Sequence, residues 1–189
     1  MNTGGGWLIG ASPAAQPVSG EPPPPHPVSP RLPARSAYAL QRLLKPGPLT
    51  RWLAARLEPR PRLTRLFTAT ERAAKQELFG CRMCGQCALP ATGYACPETC
   101  PKQLRNGPCG GVGADGSCEV FPDMRCVWVV AYERAEREGR VADLLLMQRP
   151  VDHRRSGQSA WVSYWRGDDE ALWAPPAARP PSTASEGHR

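Results

Sequence analysis

Residues 81–100 have the sequence Cys81-Arg-Met-Cys84-Gly-Gln-Cys87-Ala-Leu-Pro-Ala-Thr-Gly-Tyr-Ala-Cys96-Pro-Glu-Thr-Cys100, and this stretch decides the fold of the chain. Three more cysteines follow it, and they complete the eight of the chain: Cys109, Cys118 and Cys126. Eight thiols within residues 81–126, with no histidine among them, are too crowded to be ordinary buried apolar side chains. We therefore predict that all eight cysteines bind metal.

The spacing of the first three cysteines favours iron–sulfur clusters. Cys81, Cys84 and Cys87 come from one short loop, as three ligands of a cubane cluster do. Residues 96–101 match the end of the bacterial ferredoxin motif, in which the last cysteine serves a second cluster. At four ligands per site, eight cysteines predict two [4Fe-4S] clusters.

Zinc remains an alternative, because structural zinc sites take a pair of closely spaced cysteines from each of two segments. Cys84 and Cys87 with Cys96 and Cys100 would form such a set, although four cysteines would then be left over. One cluster plus a zinc ion is also open. Disulfides are the least expected use, since the N-terminus resembles no export signal and we expect the chain in the cytoplasm, where thiols stay reduced.

Composition divides the chain into four parts. Residues 1–35 contain nine prolines and are predicted to be a disordered tail, as are residues 167–189. Residues 36–62 are predicted to form a basic amphipathic helical arm, and residues 63–166 a small metal-stabilised domain. The predicted fold class is mainly α with irregular cysteine-rich metal-binding loops, and no stretch is apolar enough to span a membrane.

Apolar periodicity predicts the helices. Their expected ranges are a helix capped by Ser36, a helix capped by Thr50, Leu63 to Phe79, Pro122 to Gly139, and Val141 to Met147. Cys126 would lie in the first turn of the fourth helix, where the helix dipole lowers the pKa of a thiol. A Glu71–Lys75 pair is expected on the outer face of the third.

Two features lie outside the cysteine region. The aromatic segment 158–165 either folds back over the domain or meets a partner, and His153 is expected at the surface. Residues 31–66 carry nine Lys or Arg and one acid, which gives a local charge of +8. This charge predicts docking to an acidic partner, with a solvated helix face or a nucleic-acid patch as alternatives.

Longer strings in the cysteine region resemble a known family. Residues 96–101 and Asn106-Gly-Pro-Cys109-Gly-Gly, followed by Arg125-Cys126-Val-Trp128, are similar to the methylenetetrahydrofolate reductase C-terminal domain family. The similarity is densest over residues 77–135. In some bacteria such a domain is a separate small subunit of the flavin-dependent reductase.

The resemblance implies an accessory role in one-carbon metabolism. The expected partners are a flavin-containing methylenetetrahydrofolate reductase chain, carrying FAD or FMN, and an electron-donor protein. A reductase barrel needs about 250 residues, so no catalysis is expected from this chain alone. Three functions stay open: iron–sulfur electron transfer to that partner, a zinc-stabilised docking subunit of the same complex, and a zinc nucleic-acid-binding module.

Overall fold

The computed structural model describes residues 30–174, so most of each predicted tail, residues 1–35 and 167–189, lies outside the described residues. Within residues 30–174 the chain is mainly helical and contains no strand, which confirms the mainly α class. Two isolated antiparallel bridges, Ser117 with Arg125 and Gln148 with Trp173, are the only β pairing within this described range. The α-helices are α1 (Ala34–Leu43), α2 (Pro48–Leu57), α3 (Pro61–Phe79), α4 (Val127–Arg137) and α5 (Ala160–Arg166).

A proline marks the start of each of the first three helices: Pro33 directly precedes α1, and α2 and α3 begin at Pro48 and Pro61. The predicted caps at Ser36 and Thr50 were wrong: α1 begins at Ala34, and α2 begins at Pro48. Proline suits the first turn because its missing N–H has no helical partner there. Thr50 still contributes, because its Oγ1 accepts a hydrogen bond of 2.8 Å from the Gly47 N–H.

Helix α3 ends as predicted and delivers the chain to the first cysteine. Gly80 follows it in the left-handed conformation, with φ of 64°, a backbone that glycine adopts without steric cost. The Cys81 N–H then turns back to the Lys75 carbonyl at 3.2 Å. The position of Cys81 is thereby fixed to the end of a 19-residue helix.

Helix α4 begins later than predicted, at Val127. Residues 116–126 form a closed turn instead, in which Cys118 N–H donates to the Met124 carbonyl and Cys126 N–H to the Gly116 carbonyl. Cys126 is therefore the residue before the helix, not a residue of its first turn. The segment predicted as a helix from Val141 to Met147 is a shorter 3₁₀ helix, Val141–Leu145.

The described chain has two hydrophobic cores, and each one incorporates cysteines. The first packs α4 against the 116–126 turn and includes Cys118 and Cys126. The second packs α1 and the end of α3 against the loop around Leu89 and includes Cys96. Thiols thus replace part of the apolar volume that a domain of this size would otherwise require.

The aromatic segment folds back onto the domain as α5. Trp165 is buried, and its indole N–H donates to the Leu44 carbonyl at 3.0 Å. The ring of Phe67 lies 6.1 Å from that of Trp161. His153 is exposed, as predicted. None of the helices between residues 30 and 174 has the length and apolar character needed to cross a membrane.

Candidate metal centres

The eight cysteines sort into two groups of four, and each group borders its own small cavity. Site 1 is bordered by Cys81, Cys84, Cys87 and Cys96. Site 2 is bordered by Cys100, Cys109, Cys118 and Cys126. This arrangement places Cys96 and Cys100 at different cavities. It differs from the zinc set considered above, in which Cys96 and Cys100 share an ion.

Site 1 is built on a loop that leaves α3 and is held by the C-terminal segment. The Gly157 N–H donates to the Met83 carbonyl at 2.7 Å, and the side-chain amide of Gln86 exchanges two hydrogen bonds with the backbone of Asp152. Gly85 has φ of 72°, and a Cβ there would stand 2.2 Å from the Arg155 carbonyl oxygen. The loop therefore needs glycine at this position to approach the segment so closely.

A buried ion pair lies beside site 1. Lys75 Nζ is 2.5 Å from Glu71 Oε1 and 4.0 Å from Cys87 Sγ. The expectation that this pair lies on the outer face was wrong, because Glu71 and Lys75 are both almost fully buried. The Glu71 carboxylate also accepts hydrogen bonds from the Ser159 hydroxyl and, at 3.2 Å, from the Trp161 N–H. Helix α5 thus supplies the polar partners that make burial of the pair possible.

Arg105 is a second buried cation that borders site 1. Its guanidinium pairs with Glu98, donates to the Gln86 carbonyl at 2.9 Å, and makes two hydrogen bonds to Gln148 Oε1. Gln148 in turn donates to the Arg105 carbonyl at 2.7 Å. This network ties the first cysteine loop to a segment more than 40 residues later in the chain.

The thiols of site 1 differ in acidity. Hydrogen bonding with Cys96 lowers the pKa of Cys81 to about 7, and the same contact raises the pKa of Cys96. Burial raises the pKa of Cys87 to about 11, against the opposing pull of Lys75. For Lys75, burial alone would lower the pKa, but Cys87 and Glu71 together raise it. Lys75 therefore remains an ammonium that favours a thiolate at Cys87.

Site 2 combines the closed turn before α4 with the glycine-rich segment that follows Cys109. Cys118 and Cys126 are buried, whereas Cys100 and Cys109 are partly exposed. Cys109 Sγ lies 3.7 Å from Glu119 Oε2, and Glu119 pairs with Lys102 in a solvent-accessible position. A Cβ at Gly111 would stand 1.0 Å from the same oxygen. Glycine at 111 therefore makes room for Glu119 beside the thiol.

Both sites have the donors for metal, but the thiols do not stand in coordinating geometry. No group of three Cys, His, Asp or Glu side chains in residues 30–174 is arranged to hold a metal ion. The cavities are small, about 20 Å³ at site 1 and about 10 Å³ at site 2. Four soft thiolate donors per site are nevertheless the set that iron–sulfur clusters and structural zinc both use. The donor set therefore fits either group in kind and number.

Sequence reasoning found the cysteines but missed the polar groups around site 1. Lys75 and Glu71 gave a partial signal that was not used, because Phe67 and Phe79 lie one helical turn before Glu71 and one turn after Lys75. The sequence gave no signal for Arg105 and Gln148, because their contact depends on how two distant segments of the chain pack together. Only the three-dimensional arrangement identifies them.

Comparison with known proteins gives one match. A family model described as "Methylene-tetrahydrofolate reductase C terminal" matches residues 60–154, which is 95 of the 189 residues. The matched range contains all eight cysteines, Lys75 and Arg105. No curated protein and no solved structure matches the chain.

Proposed function

Because the chain belongs to the methylene-tetrahydrofolate reductase C-terminal family, we propose that it is an iron–sulfur accessory subunit of that reductase. It would pass electrons to a separate, flavin-carrying catalytic chain that reduces the folate. The observation that carries this proposal is the division of eight cysteines into two groups of four, each around its own cavity.

The proposed ligands are the four cysteines of each site. When bound, [4Fe-4S] clusters at sites 1 and 2 would supply one-electron transfer, whereas the folate reduction needs two electrons. The two sites are close, because Cys96 and Cys100 are joined by a single 3₁₀ turn, Pro97–Thr99. Even a fully extended chain would separate their Cα atoms by at most about 14 Å. Such proximity suits a pair of sites that exchange electrons.

The surroundings of site 1 suit an anionic metal group. Lys75 and Arg105 are buried cations that oppose the charge of four thiolates, and they do so in an interior where charge interactions are strong. Cys81 and Cys96 are almost fully buried, so solvent reaches that side of the site poorly. Among the described residues that border site 2, the one cation is Lys102, which is solvent-accessible and pairs with Glu119.

The surface of α1 to α3 supports docking to an acidic partner chain. Large apolar side chains on it are strongly exposed, with Leu43 at 80%, Leu49 at 74% and Leu66 at 67%. The same stretch of chain carries nine basic residues between 31 and 66, and its one acid, Glu58, already pairs with Arg166. Exposed apolar patches edged by charge are typical of protein interaction sites. We assign this basic apolar surface to the catalytic chain.

The decisive experiment is the amount of iron, zinc and acid-labile sulfide per chain, measured on full-length protein purified without oxygen. The proposal expects about eight iron and eight sulfide. Cys87→Ser and Cys109→Ser test the two sites separately, and each should lower the iron content. One or two zinc ions without sulfide would overturn the electron-transfer proposal.

One observation favours the alternative of a zinc-stabilised docking subunit. The cavities have volumes of only about 20 and 10 Å³. The surrounding side chains would therefore have to move less to admit a single zinc ion than to admit a cubane cluster. A cluster would require the cysteine side chains to rotate outward from the cavity centres. In the zinc case the basic apolar surface would keep its docking role, and the metal would serve only to hold the fold.

A further inference from the structure

A large groove lies between α3 and the segment that holds the site 1 loop. Its volume is about 860 Å³. The face of α3 from Thr64 to Gln76 forms one wall, and residues 154–168 form the other. We call it the arginine groove, because five of the seven charged residues that border it are arginines: Arg65, Arg72, Arg154, Arg155 and Arg166.

The acids that border the arginine groove are already paired. Carboxylate oxygens of Glu58 and Asp168 lie 3.2 and 3.5 Å from guanidinium nitrogens of Arg166. Arg154 pairs with Asp152 at 2.8 Å. No ion pair within residues 30–174 joins the other three arginines of the groove to a carboxylate: Arg65, Arg72 and Arg155. The described chain therefore leaves three cations in the groove without an acidic partner.

These three cations come from both walls. Arg65 and Arg72 are seven residues apart on α3, so they project from one face, about 10 Å apart along the helix axis. Arg72 also reaches the opposite wall, where its Nη2 lies 3.5 Å from the position of a Cβ on Gly157. Arg155 is half-buried on that wall, and its N–H donates to the Asp152 carbonyl at 3.0 Å. The positive charge is thus spread along the groove instead of converging on one point.

The other side chains of the groove favour a peptide as its ligand. None of the described residues that border it is aromatic, so it lacks the ring faces on which nucleic-acid bases stack. Hydroxyl and amide groups, which exchange hydrogen bonds with a peptide backbone, border it instead: Thr64, Thr68, Gln76, Gln158 and Ser163. Guanidinium groups match the fork of a carboxylate. The lining therefore suits a peptide that carries several carboxylates.

The dimensions of the groove fit an extended segment. From Thr64 to Gln76 the α3 wall is about 18 Å long, at about 1.5 Å of rise per residue. An extended peptide advances about 3.4 Å per residue, so about five residues would span this wall. Ala69 and Ala73 border the groove between the two arginines of α3 and next to the second, and their small side chains let a peptide backbone approach the helix.

The arginine groove differs in place from the basic apolar surface. The exposed leucines of that surface, Leu43, Leu49 and Leu66, do not border it. Its second wall belongs to the segment that supports site 1, because the Gly157 N–H donates to the Met83 carbonyl at 2.7 Å. A ligand in the groove would therefore lie against the backbone that holds the first cysteine loop.

We propose that the arginine groove binds an extended acidic peptide segment of a partner protein, whose carboxylates pair with Arg65, Arg72 and Arg155. The argument is charge complementarity: three cations without acidic partners line a groove of the length and lining that such a segment needs. The proposal depends neither on the metal at sites 1 and 2 nor on the assignment of the basic apolar surface to the catalytic chain.

The test is calorimetric titration of the full-length, metal-loaded protein at low ionic strength. The probe is an acetylated and amidated hexapeptide of alternating aspartate and glutamate, and we expect saturable one-to-one binding. Arg72→Glu should weaken this binding at least about tenfold, because it replaces a charge-assisted hydrogen bond with repulsion. Ala73→Trp should block the groove, since Ala73 is exposed and borders it.

Matched variants control for net charge and for the new indole. Arg51→Glu makes the same charge change on the basic apolar surface, and Ala74→Trp adds the same ring at the next residue of α3, which is also exposed. Neither residue borders the groove, so both variants should bind the hexapeptide as the unchanged protein does. Equal weakening by Arg51→Glu and Arg72→Glu would overturn the proposal, because net charge alone would then explain the binding.

Two further probes separate a peptide from other anions: inorganic tripolyphosphate and a single-stranded thymidine hexanucleotide. We expect both to bind more weakly than the hexapeptide. Absence of hexapeptide binding, or binding of either probe as tightly as the hexapeptide, would overturn the proposal. The metal content of every sample, measured in parallel, keeps this outcome separate from a failure of the iron–sulfur proposal.

Discussion

Arg105 illustrates, at the scale of a single residue, how a charge can be buried beside a cysteine site. Its guanidinium is enclosed by Glu98, Gln86 and Gln148. Replacement by methionine would leave Glu98 in a largely buried position without its cation. We expect Arg105→Met to lower the free energy of unfolding by about 3–5 kcal/mol, measured by urea denaturation of the metal-loaded protein.

Lys102 provides the matched comparison, because its partner Glu119 shares a solvent-accessible position. Exposed pairs contribute little, since water and salt screen them. Lys102→Met should therefore leave the urea midpoint nearly unchanged. Equal losses for Arg105→Met and Lys102→Met would show that burial does not decide the strength of these pairs.

Among the turns and helices, Gly93 determines how closely α4 approaches the loop between Cys87 and Cys96 of site 1. Its φ is 58°, and a Cβ there would lie 2.9 Å from both the Ala131 oxygen and Arg134 Cβ. Arg134 Nε also donates to the Gly93 carbonyl at 2.6 Å. Gly93→Ala should cost about 2–4 kcal/mol of folding stability, from the left-handed backbone and the contact with α4 together.

Gly139 separates these two contributions. Its φ is 64°, but nothing lies within 4 Å of a Cβ placed there. Gly139→Ala should then cost only the backbone part, about 1–2 kcal/mol. Thermal unfolding of the two variants tests the difference, and equal melting temperatures would contradict a close contact between α4 and the loop at Gly93.

The elements also show what periodicity can predict. Most of α3 and its end at Gly80 follow from local signals, an apolar stripe and a glycine that accepts positive φ, although the helix begins at Pro61, two residues before the predicted start at Leu63. The start of α4 does not, since the turn at residues 116–126 is closed by hydrogen bonds that compete with a helix for the same backbone groups. Likewise, cysteine spacing predicted two sites, but the assignment of Cys100 to site 2 required the packing of Cys118 and Cys126 around α4.

For the whole molecule, the uneven distribution of charge predicts that the proposed binding to the catalytic chain depends on salt. Arg51 lies on the basic apolar surface, whereas Arg137 lies on α4 with a side chain that is 73% exposed. Arg51→Glu should weaken binding of the reductase catalytic chain several-fold at low ionic strength, and less at high salt, because salt screens exposed charges. Surface plasmon resonance over a salt series measures both effects.

Arg137→Glu changes the net charge by the same amount and should bind nearly as the unchanged chain does. If the two variants lost equal affinity, the overall charge rather than this surface would govern association. Retention of full metal content by both would show that the loss of binding does not come from unfolding.

The 3₁₀ turn between Cys96 and Cys100 also couples the two sites mechanically. The Thr99 hydroxyl donates to the Cys96 carbonyl at 2.7 Å, and the Cys100 N–H donates to the Pro97 carbonyl at 3.0 Å. A metal group that immobilises Cys96 would thereby also restrict the motion of Cys100. The entropy lost on ordering the second site would then be smaller once the first site is loaded. We therefore expect cooperative loading of the two sites. When the protein is reconstituted with less metal than is needed to fill both sites, native mass spectra should contain empty and doubly loaded chains, with few singly loaded ones. A binomial distribution of empty, singly loaded and doubly loaded chains would instead show that the two sites fill independently.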